Sequence, residues 1–146
     1  MSDYAKILVA IDLSEDSKLI VQRARSVASN ASAELHLIHV IEPLSFAYGG
    51  DIPMDFSGIQ DEIYQQANQQ LHRFAETNGI DEAHRHIVMG RPEAEIHTLA
   101  REIQADLIVV GSHGRHGLAL LMGSTANGVL HGARRDVLAV RVGSKD

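Results

Sequence analysis

The chain has 146 residues, 45% apolar and 22% charged, a size and balance that suit one soluble globular domain. Its formal net charge of −6 argues against broad binding to nucleic acid or anionic membranes, although Arg134-Arg135 make one locally basic spot. With no cysteine there is neither a disulfide framework nor thiol chemistry, and no apolar run approaches the ~20 residues that span a bilayer.

Met1-Ser2-Asp3 passes straight into a strand-like run, with no basic segment ahead of an apolar one, so a cytoplasmic location is the expectation. Lys6 to Ile11, KILVAI, is continuously apolar and reads as a central parallel strand. It ends at Asp12-Leu13-Ser14, where Ser14 suits an N-cap and Glu15 and Asp16 suit a first helical turn. Ile20, Ala24, Val27 and Ala28 recur at helical spacing and carry that helix to about Ala31.

Glu34 to Ile41, ELHLIHVI, is the second strand, with Leu35, Leu37 and Val40 as core candidates. His36 and His39 are expected to face outward or to bond locally; a metal role for that pair lacks another ligand at useful spacing. Glu42 to Ser57 mixes the breakers Pro43, Gly49, Gly50 and Pro53 with Phe46, Tyr48, Met54 and Phe56, the composition of a flap, a satellite cluster or a partner surface. Ile59, Ile63, Ala67, Leu71 and Phe74 mark a long helix ending near Asn78-Gly79.

The third strand is predicted at His84 to Met89. Pro92 then opens a helix through Ile96, Leu99, Ala100 and Ile103. Asp106 to Val110 is the fourth strand and stops at Gly111. A glycine-rich loop leads to Gly123-Ser124-Thr125 and a helix marked by Ala126, Val129, Leu130 and Ala133. Asp136 to Val142 is the fifth strand. Such alternation of strands and helices gives a parallel sheet with helices on both faces, and residues 1–146 read as a single domain.

The chemistry is expected in the stretch from Asp106 to Ala133. Glycines let a ligand approach bare amides, and a helix N-terminus offers unpaired N–H groups and partial positive charge. Strand, glycine loop and helix together suit an anion, most often phosphate. The bland alternative is a connector in which Ser124 only caps the helix. A P-loop is excluded, because no lysine lies between Lys18 and Lys145. Gly111, Gly114 and Gly117 also lack the dinucleotide spacing, and the turn after the first strand has a carboxylate where that fold has glycine.

If the first and fourth strands are neighbours, Asp12 meets the glycine loop beyond the strand ends. Asp12 would suit ribose hydroxyls or Mg²⁺, or it caps the first helix. His113 and His116 suit a metal, a phosphate contact or plain solvation, and Arg115 either pairs with phosphate or faces water.

The chain resembles the universal stress protein family along nearly its whole length. The resemblance rests on ILVAID with Ser14, LIHVIEP, GRPEAEI, DLIVVGSHG, the Gly123-Ser124 pair and DVLAVRV. Gly111-Ser112-His113-Gly114 and Gly123-Ser124 match the family's nucleotide-binding signature, with Gly114 and Gly123 one residue closer than its usual spacing.

The resemblance implies a doubly wound, five-stranded α/β sheet of strand order 3-2-1-4-5. It implies ATP or AMP as ligand, with Mg²⁺ at Asp12. Ala10 and Asp12 would then lie on the ribose or metal side, and Val40 against adenine. Gly111, Gly114, Arg115, Gly123, Ser124 and Thr125 would lie on the phosphate side. It also implies a homodimer through Val137 to Val142. The function expected is a stress-response signalling module and not an enzyme. The alternatives are a slow ATPase and a nucleotide-free interaction protein.

Overall fold

The computed structural model describes residues 4–28, 32–44, 57–113 and 124–142. Five strands run β1 (Lys6–Ala10), β2 (Glu34–Ile41), β3 (Arg85–Met89), β4 (Leu107–His113) and β5 (Asp136–Val142). The helices are α1 (Ser17–Val27), α2 (Ser57–Thr77), α3 (Pro92–Ile103) and α4 (Ser124–His131), with one 3-10 turn at Glu82–His84. All strand pairs are parallel and the order is β3-β2-β1-β4-β5, as expected.

Alternation along each strand divides the core into two layers. Ile7, Val9, Leu37, Leu107 and Val109 pack with Ile20, Val21 and Ala24 of α1 and with Leu71 and Ala75 of α2. Leu8, Ile38, Ile108 and Val110 point the other way, onto Ile96 and Ala100 of α3 and Ala126 and Val129 of α4. This double burial is why Ile7 to Ala10 of β1 and Leu107 to Val110 of β4 read as unbroken apolar runs. On the helices, Leu130, Ile59 and Ile63 fit the apolar period yet are exposed.

Several boundaries differ from expectation for local reasons. Ser14 does not cap α1, which begins at Ser17. Its hydroxyl accepts from the Asp16 amide and its carbonyl from the Ser17 amide, so Glu15 and Asp16 lie in a turn ahead of the helix. His84 belongs to the 3-10 turn, whose Asp81 side chain accepts from the Ala83 amide. Strand β4 does not stop at Gly111. It continues to His113 because β5 extends the ladder, pairing Gly111 with Val140 and His113 with Val142. The expected stops elsewhere hold: Gly79 adopts φ 71° after α2, and Pro92 is the first residue of α3.

Of the two expectations for His36, it bonds locally, to Glu34, and does not face outward, with 7% of its surface exposed. Its Nε2 lies 3.2 Å from Oε1 of Glu34 and its Nδ1 lies 3.1 Å from Nε2 of His86. Burial pushes the His36 imidazole below its ordinary value, against the opposing bond to Glu34. Burial, then the neighbouring His36 and His84, act the same way on His86, with Glu102 opposing. Glu34 is itself held low, chiefly by its bond to His36.

The fold thus favours neutral imidazoles, while the unfolded chain protonates first as pH drops. Stability from this cluster is full above about pH 6.5 and falls below it. The urea midpoint should therefore drop between about pH 7.5 and about pH 5.5. The drop should shrink in His86→Gln; an equal drop would remove the cluster as its source.

Candidate functional site

The winding direction reverses between β1 and β4, since the chain moves outward through β2 and β3 and then returns to the other side of β1. Open parallel sheets leave a crevice beyond the strand ends at such a reversal. Here the crevice is a cavity of about 350 Å³. That is within the size range of small-molecule sites.

Ala10, Ile11 and Asp12 line it from β1 and its turn, Ile38, His39 and Val40 from β2, and Val110 and Gly111 from β4. Thr125 and Ala126 close it from α4, with Pro92 and Ile96 of α3 behind them. Five of the predicted residues therefore meet around one space: Ala10, Asp12, Val40, Gly111 and Thr125. Ser124 opens α4, immediately before Thr125. Gly114, Arg115 and Gly123 lie outside the described residues, as do His116 and most of the segment from Glu42 to Ser57.

Local bonding explains the shape of the floor. The Oδ1 of Asp12 accepts from the Ser14 amide at 2.9 Å, closing a tight turn ahead of α1. Between them Leu13 adopts φ 65°, a left-handed conformation disfavoured for a branched residue. The strained turn is held by the Ser14 bonds on one side and by Leu13 packing on the first core layer on the other. It sets Asp12, Ser14 and Asp16 along one wall of the cavity.

Opposite them, α4 is held over the crevice by His97, whose Nε2 donates to the Val129 carbonyl at 2.9 Å. Gly128 lets α3 approach, since a Cβ there would stand 2.9 Å from Cβ of Glu93. The amino end of α4 thereby faces the carboxyl ends of β1 and β4, where a helix end favours negative charge.

Gly111 has a different reason from the expected one. Its backbone is extended, and a Cβ there would lie 2.8 Å from Cδ1 of Ile20 and 3.4 Å from Cγ2 of Val142. The glycine admits α1 to the sheet as well as opening the cavity. His39 went unnoticed as a site residue. Its Nδ1 donates to the Ile11 carbonyl at 2.9 Å and pins the end of β2 to the β1 turn. Its place at a strand's carboxyl end was the available signal. Ile20 and Val142 gave none, because their place on the wall depends on helix and strand packing.

The comparisons agree with this architecture. The family model described as the universal stress protein family matches residues 3–141. Universal stress protein A homolog 2 of Coxiella burnetii is 41% identical over 97% of this chain and 98% of its own. Homolog 1 of the same organism is also 41% identical, over 94% and 96%.

Among solved structures, hypothetical protein MJ0577 superposes with a TM-score of 0.79 at 23% identity, over 97% of this chain and 99% of that one, and supports the fold alone. A universal stress protein in complex with cAMP gives a TM-score of 0.60 at 26% identity, over 96% and 98%. With the winding, the turn at Asp12 and the helix at Ser124 all in place, the chain belongs to the universal stress protein family.

Proposed function

We propose that this chain is a single-domain cytoplasmic stress-response module that binds an adenine nucleotide, ATP or AMP, in the cavity between β1, β2 and β4. The observation that carries the reading is the meeting of Ala10, Asp12, Val40, Gly111 and Thr125 around one space at the winding reversal. The relative bound to cAMP supports the nucleotide class. Val40, beside Ile38, offers an apolar wall for a base. Gly111, Ser124, Thr125 and the amino end of α4 suit phosphate, joined in this reading by Gly114, Arg115 and Gly123 of the loop.

Asp12 suits ribose or Mg²⁺, and its donor set fits the ion. Asp12 and Asp16 both line the cavity, and carboxylate oxygens are the hard ligands that Mg²⁺ takes alongside nucleotide phosphates. The module is read as a binding protein and not an enzyme. It is also read as a homodimer: β5 forms one edge of the sheet, and an edge strand invites pairing with a second copy. Sedimentation at twice the 15.9 kDa chain mass is the expected result; a monomer at working concentration removes the dimer.

Calorimetric titration with ATP and Mg²⁺, beside an assay for released phosphate, tests the whole reading. Saturable binding with negligible turnover is expected. No heat at about millimolar ATP would overturn it, and stoichiometric phosphate release would make the protein an ATPase.

Two variants separate the roles of Asp12. Asp12→Asn keeps the oxygen that accepts from Ser14 but removes the charge. It should lower affinity for Mg²⁺-ATP about tenfold with little change in stability. Asp12→Ala loses the turn as well and should cost about a further 1 kcal/mol of stability. Equal nucleotide affinity in Asp12→Asn and the wild type would leave Asp12 as a turn residue only.

A further inference from the structure

We propose that Glu34, His36 and His84 bind a divalent transition metal of the zinc class, with His86 orienting His36 as a positioning residue. The site stands at the amino ends of β2 and β3, the opposite end of the sheet from the nucleotide cavity. Residues from two strands and a turn build it. Glu34 and His36 are two apart on β2 and so share a face. The parallel register, Leu37 with Arg85 and Ile38 with His86, brings the chain ahead of β3 alongside them. The 3-10 turn Glu82–His84 then sets the His84 ring on His36, with centroids 4.1 Å apart and an interplanar angle of 28°.

One ligand atom from each of Glu34, His36 and His84 lies within 4.8 Å of the others. The Glu34 Oε1 to His36 Nε2 distance is 3.2 Å. A tetrahedral site with metal–ligand distances of about 2.0–2.1 Å has ligand–ligand edges of roughly 3.3 Å. One edge is thus already formed, and the His84 ring closes the others by rotating.

The second nitrogen of His36 is also placed as such a site requires. Ligating histidines donate their other ring N–H to a fixed acceptor, which sets the tautomer. Nδ1 of His36 lies 3.1 Å from Nε2 of His86, which can take that proton's hydrogen bond and leave Nε2 of His36 to the ion.

The donor chemistry narrows the ion. Two imidazoles and one carboxylate suit zinc and its first-row neighbours, whereas Mg²⁺ and Ca²⁺ prefer oxygen alone. The chain has no cysteine, so an all-thiolate centre is excluded. Three protein ligands leave a fourth position for water, and the Glu34 side chain is 46% exposed, so the ion can enter from solvent. A metal there would tie the start of β2 to the edge strand β3 and stabilise the fold in proportion to its occupancy.

The test is competition titration of Zn²⁺ against a chelating dye, using the untagged full chain. The visible absorption of Co²⁺ reports tetrahedral coordination. One ion per chain is expected, with a higher unfolding temperature on Zn²⁺ addition. Glu34→Gln, at a half-exposed position, and His84→Ala should each weaken Zn²⁺ at least about 10-fold, and His86→Ala about 10–100-fold.

The chain has nine histidines, so His131→Gln, exposed at the end of α4, serves as the control and should bind as the wild type does. Unchanged Zn²⁺ affinity in both Glu34→Gln and His84→Ala would overturn the site. So would the absence of binding to the wild type at about 100 µM Zn²⁺. The cluster would then be a hydrogen-bonded prop for β3.

Discussion

Val140→Lys should strongly destabilise the fold of the chain itself. Val140 sits on an edge strand, where a charge is a usual way to prevent strand pairing. Its side chain, however, is 5% exposed and belongs to the core layer of Val109, Ile20 and Val142. An ammonium group there would stand among apolar side chains, and burying a charge ranks among the most costly substitutions. The expected loss is about 3–5 kcal/mol, against a total stability of about 5–15 kcal/mol for a typical domain. Urea unfolding would show a much lower midpoint, or a chain unfolded in buffer. A folded variant with a midpoint near that of the wild type would mean that this face of β5 is not packed as described.

Gly111→Val should weaken nucleotide binding and stability together. The backbone at Gly111 is extended, so valine meets no conformational barrier, and the effect comes from space alone. The first added carbon would fall 2.8 Å from Cδ1 of Ile20. The tip of Ile20 can swing aside for alanine, but the two further methyls of valine must enter the core or the cavity. Overpacking costs typically about 1–3 kcal/mol. Because Ile20, Gly111 and Val142 all line the cavity, its volume shrinks and ATP affinity should fall at least about 10-fold. Gly111→Ala should show a smaller version of both effects. A folded Gly111→Val with wild-type ATP affinity would place the nucleotide elsewhere.

Most of the fold was legible because its signals are local. Leu107 to Val110 is apolar at every position since both faces of the sheet are covered. Gly79 and Pro92 mark helix boundaries through their own backbone chemistry. Of the candidate site, Asp12 could be named from a carboxylate after a strand and Ser124 from a hydroxyl at a helix start, whereas Ala10, Val40 and Thr125 came from the family resemblance. The strand order came from the family resemblance, and the helices alone would have left it open.

Long-range contacts set the rest. His36 was expected to face outward or to bond locally; it bonds to Glu34 two residues away, but its burial involves His84 and His86, 48 and 50 residues on in sequence and joined to it only by the β2–β3 register. Gly111 read as a loop residue because the ladder that keeps it in β4 is supplied by β5. Ser14 read as a cap, though the same hydroxyl serves a turn one step earlier.

The sequence by itself determined which segments are strands and helices, because burial on two faces and helix ends leave their mark within a few residues. Only the tertiary structure decided what those segments bring together: Asp12, Val40 and Thr125 around one cavity, and three histidines with Glu34 at the other end of the sheet. Such contacts depend on strand register and helix docking, which many sequences of the same pattern could set differently.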